Sequence, residues 1–122
     1  MKINLIIESR EIGGEPVITA TTAIKKVNHD SVSYKFIDDF GKTSIEIFEN
    51  SAIISREGSV ISTMILKKGI TTPFDYKSEY INTSFDLFTK DFDISDKKLH
   101  AVYVMYQNGN LINEINLSII EK

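Results

Sequence analysis

Thirty-five of the 122 residues are Ile, Val or Thr, 20 of them Ile, while Ala and Leu together supply only ten. Side chains branched at Cβ are stiff about χ1 and lie well on a pleated surface, whereas Ala and Leu lead the helix scale. The order of residues repeats the message. Ile3, Leu5 and Ile7 alternate with Lys2, Asn4 and Glu8, although Ile6 interrupts. Val32, Tyr34 and Phe36 alternate with Ser33 and Lys35, and Ile115, Leu117 and Ile119 with Asn116 and Ser118. A period of two marks a strand with one dry and one wet face. The chain reads as all-β.

Turn residues divide it at short intervals: Gly13-Gly14, Asn28-His29-Asp30, Asp39-Phe40-Gly41-Lys42, Glu49-Asn50, Glu57-Gly58, Lys68-Gly69, Asp96-Lys97 and Asn108-Gly109. Asn-Gly between apolar runs is the strongest hairpin signal among them, because a type I′ turn needs positive φ at both central positions. Ten strands are predicted, at 2–8, 17–26, 31–38, 43–48, 51–56, 59–67, 70–77, 83–90, 98–107 and 110–120, with one helical turn expected within Lys77 to Asn82. No linker, repeat or charge run announces a second unit, and 122 residues suit one domain. Successive hairpins make a meander, and closure into a barrel of eight to ten strands removes its edges.

Hairpin loop length sets which residues face each other, and facing residues share a side of the sheet. Two-residue loops at 49–50, 57–58, 68–69 and 108–109 and four-residue loops at 11–14 and 39–42 give one consistent inward face. It carries Ile61, Ile65, Phe74, Val102 and Val104, and matches Ile7 with Ile18. It also carries Thr22, Arg56, Thr63, Thr72, Thr83, Thr89, His100 and Asn113, with the hydroxyls of Tyr34, Tyr76 and Tyr106. Buried polar groups need partners. The set therefore reads in two ways: as a cavity or mouth for a small amphipathic molecule, or as rim residues in water and threonines bonded to backbone. In the first reading Arg56 anchors an anionic head group, and Tyr34, Tyr76, His100, Tyr106 and Asn113 line the site.

The same register places Leu99, Ala101, Tyr103 and Met105 outside, beside Ile112 and Ile120. A patch of that kind calls for an interface or a covering segment. A homodimer and coverage by a terminal strand are both open at this point.

Little else in the chain carries chemistry. The two histidines are isolated: His29 sits in a turn, and His100 reads as a satisfied core residue before it reads as a base. With no cysteine they cannot form the usual zinc sets, so no metal or cofactor is expected. Glycine-rich phosphate loops and the Gly-x-Ser-x-Gly elbow are absent. A formal charge of −3 leaves no broad basic footprint for nucleic acid. The longest apolar run, Ala101 to Tyr106, is too short for a membrane span, and Asn4 and Glu8 interrupt any leader-like start. The expectation is a non-enzymatic cytoplasmic protein. An enzyme would have to use His100 together with Arg56 in the barrel mouth.

Arg56-Glu57-Gly58, Gly69 on the next turn, then Thr72, Tyr76, Tyr80 and a strand ending at Thr89 form a pattern that resembles the YwiB-like family of small bacterial proteins. The resemblance runs best from Val32 to Ile119 and takes in the strands Tyr103 to Tyr106 and Asn113 to Ile119. The chain departs from the pattern after Tyr80, where Ile81 replaces a glycine. What the resemblance implies is a calycin-type barrel similar in shape to lipocalins and fatty-acid-binding proteins. It transfers no catalytic residue, because the family is a domain of unknown function.

Overall fold

The computed structural model describes residues 1–122 and contains ten strands and no helix. They are β1 (Lys2–Glu11), β2 (Val17–Val27), β3 (Ser31–Asp38), β4 (Gly41–Phe48), β5 (Ser51–Gly58), β6 (Val60–Lys67), β7 (Thr71–Ser78), β8 (Asn82–Ser95), β9 (Lys98–Gln107) and β10 (Asn110–Glu121). Each pairs antiparallel with its sequence neighbour, and β1 pairs with β10, so the meander closes into a barrel. Turns after odd-numbered strands lie at one end, here called upper. Turns after even-numbered strands and both chain termini lie at the lower end. In place of a helical turn near Tyr80 there is a tight turn, closed by the Ser78 amide donating to the Ile81 carbonyl at 2.7 Å.

The alternating apolar residues make the core. Leu5, Ile45, Leu66, Leu87 and Leu99 are at most 1% exposed, and Tyr34, Phe36, Phe74, Phe92, Tyr103, Leu117 and Ile119 pack with them. Each such side chain contributes roughly 1.5–3 kcal/mol of burial free energy. Together they form one continuous core cluster inside the barrel.

Parity along the chain holds in some hairpins and fails in others. The Glu49-Asn50 turn gives the expected pairs Ile45 with Ile54 and Ile47 with Ala52. In β9–β10 the pairing starts as expected, Tyr106 opposite Leu111, and then shifts: Asn113 faces Met105 and Leu117 faces Ala101. The extra residue, Ile112, is a β-bulge, and one extra residue exchanges the two faces of everything below it. A second bulge, at Lys90 between Thr89 and Asp91, keeps β8 in step with β9. Leu99, Ala101, Tyr103 and Met105 therefore point inward, the first three at most 5% exposed. The expected outer patch does not exist. Of its members only Ile112, in the bulge at 51% exposed, and the partly exposed Ile120 face out. His100, Val102, Val104 and Tyr106 take the outer face, opposite Asp93, Asp91, Phe88 and Asp86 on β8. Val104 is nonetheless buried, between Phe88 on β8 and Glu114 on β10, the latter joined to Lys90 at 3.0 Å.

Two other corners correct the reading. β5 stays paired with β4 as far as Gly58, and the chain then turns so that Arg56 meets Ser62 and Ile54 meets Met64. Ser62, Met64 and Leu66 face inward, while Ile61, Thr63 and Ile65 face out. At β1–β2 the register matches Ile7 with Thr19, which puts Thr22 outside and exposed. Loop length at these corners is set by three-dimensional crossings that turn residues alone do not reveal.

Candidate functional site in the upper lumen

Towards its upper end the barrel holds a cavity of about 220 Å³ bounded by residues of eight strands. Its floor and walls are apolar: Ile7, Ile45, Ile54, Met64, Leu117 and Ile119. Thr19, Thr43, Asp38 and Arg56 form its rim. Arg56 points to this side because it continues the Ala52, Ile54 alternation of β5, and it is exposed at the mouth. Its guanidinium enters neither of the two ion pairs, which are Lys25–Glu121 and Lys90–Glu114. Asp38, the carboxylate nearest in kind, accepts the Phe40 amide at 2.9 Å.

Tyr103 is the polar group set deepest in this wall. The residue is 5% exposed and lines the cavity, and burial pushes its phenol up to about 12. No fully buried side-chain polar atom in the protein lacks a partner, and no protein group bonds the Tyr103 hydroxyl. That hydroxyl therefore opens on the cavity. Tyr103 was not legible as a lumen residue, because the Ile112 bulge that turns it inward leaves no composition signal of its own.

The inward polar residues elsewhere are satisfied by the protein. Thr72 donates to the Ile65 carbonyl at 2.7 Å, Thr89 accepts the Lys67 amide, and Gln107 donates to Thr83 at 2.7 Å. At the lower end Glu121 accepts from Lys25 at 2.7 Å and from the Tyr34 hydroxyl at 3.0 Å. The Lys25 bond holds the Glu121 carboxyl below its ordinary range against the opposing effect of burial, with Tyr34 helping. Tyr34 is driven well above its usual value, first by burial and then by Glu121. This triad ties β2, β3 and β10 together and closes the barrel floor.

The candidate residues are thus separated. Arg56 is at the mouth. Tyr34 is inward but at the opposite end, engaged with Glu121. Tyr76 is inward and half-buried, edge-on to Phe74 with ring centroids 6.3 Å apart. Asn113 lies on the inward register beside Met105 and accepts the Glu114 amide at 2.9 Å. His100 and Tyr106 are on the outer wall, so His100 cannot share a substrate atom with Arg56. No group of three His, Cys, Asp or Glu side chains gathers as a metal set.

Residues 8–119 match the family described as domain of unknown function DUF1934. The chain belongs to that family. Among solved structures, the crystal structure of the ywiB protein from Bacillus subtilis superposes with a TM-score of 0.73 at 19% identity. The alignment covers 99% of this chain and 92% of that one. At that identity the likeness establishes the shared barrel alone. No curated protein matches the chain significantly. In this DUF1934 chain the Arg56-Glu57-Gly58 segment that carried the resemblance sits at the cavity mouth, at the upper end of β5.

Proposed function

We propose that this protein binds a small amphipathic anion in the upper lumen, with the apolar part against Ile45, Ile54 and Leu117 and the charged head at Arg56. The observation that carries this reading is Tyr103, a residue only 5% exposed whose hydroxyl has no protein partner and opens on the cavity. A hydroxyl that opens on an apolar cavity is bonded by water or by the occupant, so the site favours an occupant whose polar group takes over that bond. The unpaired Arg56 at the rim supplies the matching charge. A volume of about 220 Å³ falls below the usual span for drug-sized ligands, which starts near 300 Å³. A short carboxylate chain or a single substituted ring fits better than a long lipid.

The test is a thermal-shift and calorimetric screen with octanoate, benzoate and the uncharged octanol. Octanoate or benzoate should raise Tm and release heat with the native protein, with weaker effect for Arg56→Gln and for Tyr103→Phe, and octanol should bind least. Absence of any shift with all three probes in the native protein ends the reading.

A further inference from the structure

The barrel wall is not paired along its whole height. β2 pairs with β1 from Val17 to Ile24, but with β3 only from Ile24 to Val27. The upper stretch Val17–Ala23 is therefore hydrogen-bonded along one edge and open along the other. Both of its faces are wet from Val17 to Ala20, while Thr21 is half-buried and Ala23, 1% exposed, joins the core. Val17 and Ile18 are 66% and 62% exposed, and Thr19, Ala20 and Thr22 are exposed as well. The free stretch has no charged residue, no proline and no bulge.

Proteins protect open strand edges with lysine, proline, bulges or cover, because the unpaired amides and carbonyls otherwise template another strand. This edge has none of those inside it. The facing edge of β3, Phe36 to Asp38, is shorter and ends on a carboxylate, so it is the poorer template. Alternate residues of Val17–Ala23 turn their backbone groups to the gap, as in any antiparallel ladder.

We propose that a second copy of the chain occupies this edge, the two β2 strands pairing antiparallel about a two-fold axis at Ala20. The choice of occupant follows from the segment's own complementarity. Centred on Ala20, the register pairs Val17 with Ala23, Ile18 with Thr22 and Thr19 with Thr21, and it uses every free residue once. Residues on one face stay opposite residues of the same face, as sheet continuity requires. No charge meets a like charge, and no residue already bonded to β3 is called on. An isologous contact of this kind closes at two copies. It meets the cavity rim only at Thr19 and leaves Arg56 and Tyr103 untouched, and its tests read association rather than ligand binding.

The chain has no cysteine, so a single introduced one reports cleanly. Directly opposed residues of an antiparallel ladder lie about 4.5–5.5 Å apart at Cα, within disulfide reach. Under mild oxidation Ala20→Cys should give a disulfide-linked dimer, while Ile61→Cys, also exposed on β6, should stay monomeric. Sedimentation of the native chain from micromolar to millimolar concentration should show a monomer–dimer equilibrium. Ala20→Lys, which opposes two lysines on the axis at an exposed site, should weaken it at least about tenfold while leaving Tm unchanged. A native chain that is monomeric throughout, a dimer indifferent to Ala20→Lys, or crosslinking of Ala20→Cys no faster than of Ile61→Cys overturns the proposal.

Discussion

Gly41 and Gly58 stand directly opposite each other where β4 and β5 reach the upper rim, and both have positive φ, 133° and 150°. A Cβ on Gly41 would lie 2.1 Å from the Glu57 carbonyl oxygen, and one on Gly58 would lie 2.2 Å from that of Phe40. The strands cross so closely that each glycine fills the place a neighbour's side chain would need. This crossing fixes the corner from which Arg56 points into the mouth and lets β5 run two residues beyond the span expected from its turn signal.

Gly58→Ala and Gly41→Ala should each destabilise the fold by about 2–4 kcal/mol, since the obstructing atoms are backbone and cannot turn aside. Urea denaturation measures this. The double variant should cost less than the two single costs added, because the first strained corner already relieves the second. Additive costs would show that the two positions do not share one crossing.

Ile112 carries the register in its backbone and little in its side chain. Ile112→Ser, at a half-exposed bulge, should change stability by less than about 1 kcal/mol. Deleting Ile112 should prevent folding, because a one-residue slip turns Leu99, Ala101 and Tyr103 out to solvent. Circular dichroism and solubility distinguish the two outcomes.

Glu121 gives the barrel an acid-sensitive latch. Its carboxyl is held below the ordinary value of 4.5 in the folded chain. A depressed carboxyl contributes stability that is complete above the unfolded value and is lost as pH falls through the folded one. Unfolding free energy should therefore decline as pH drops below about 4.5, and Glu121→Gln should flatten that part of the profile. The same variant at neutral pH should cost about 1–3 kcal/mol, through Lys25 and Tyr34 left without their acceptor. A pH profile identical to the native one removes Glu121 as the latch.

Tyr103 and Tyr34 should titrate late. Burial pushes Tyr103 up to about 12 and drives Tyr34 higher than its ordinary range. A raised phenol contributes stability that is complete below the unfolded value, near 10, and is lost as pH rises through the folded one. Absorbance near 295 nm should show a late tyrosine step that Tyr103→Phe removes. A ligand bonded to the hydroxyl should shift that step, which ties this measurement to the lumen site.

The alternation of β-branched and aromatic residues was enough to determine an all-β chain, ten strands with nearly correct bounds and a closed meander, because period two and turn residues are local properties. It was also enough to put Arg56 on the inward face, since the Glu49-Asn50 hairpin has the loop its residues demand. The faces of β9 were decided elsewhere. Ile112 is an ordinary isoleucine in sequence, and only the pairing of β10 with both β1 and β9 makes it a bulge. Tyr103 enters the lumen and His100 leaves it for that reason. The free upper edge of β2 arises the same way: its residues read as any strand, and only the closing curvature of the barrel decides that β3 bonds it for four residues and then parts from it.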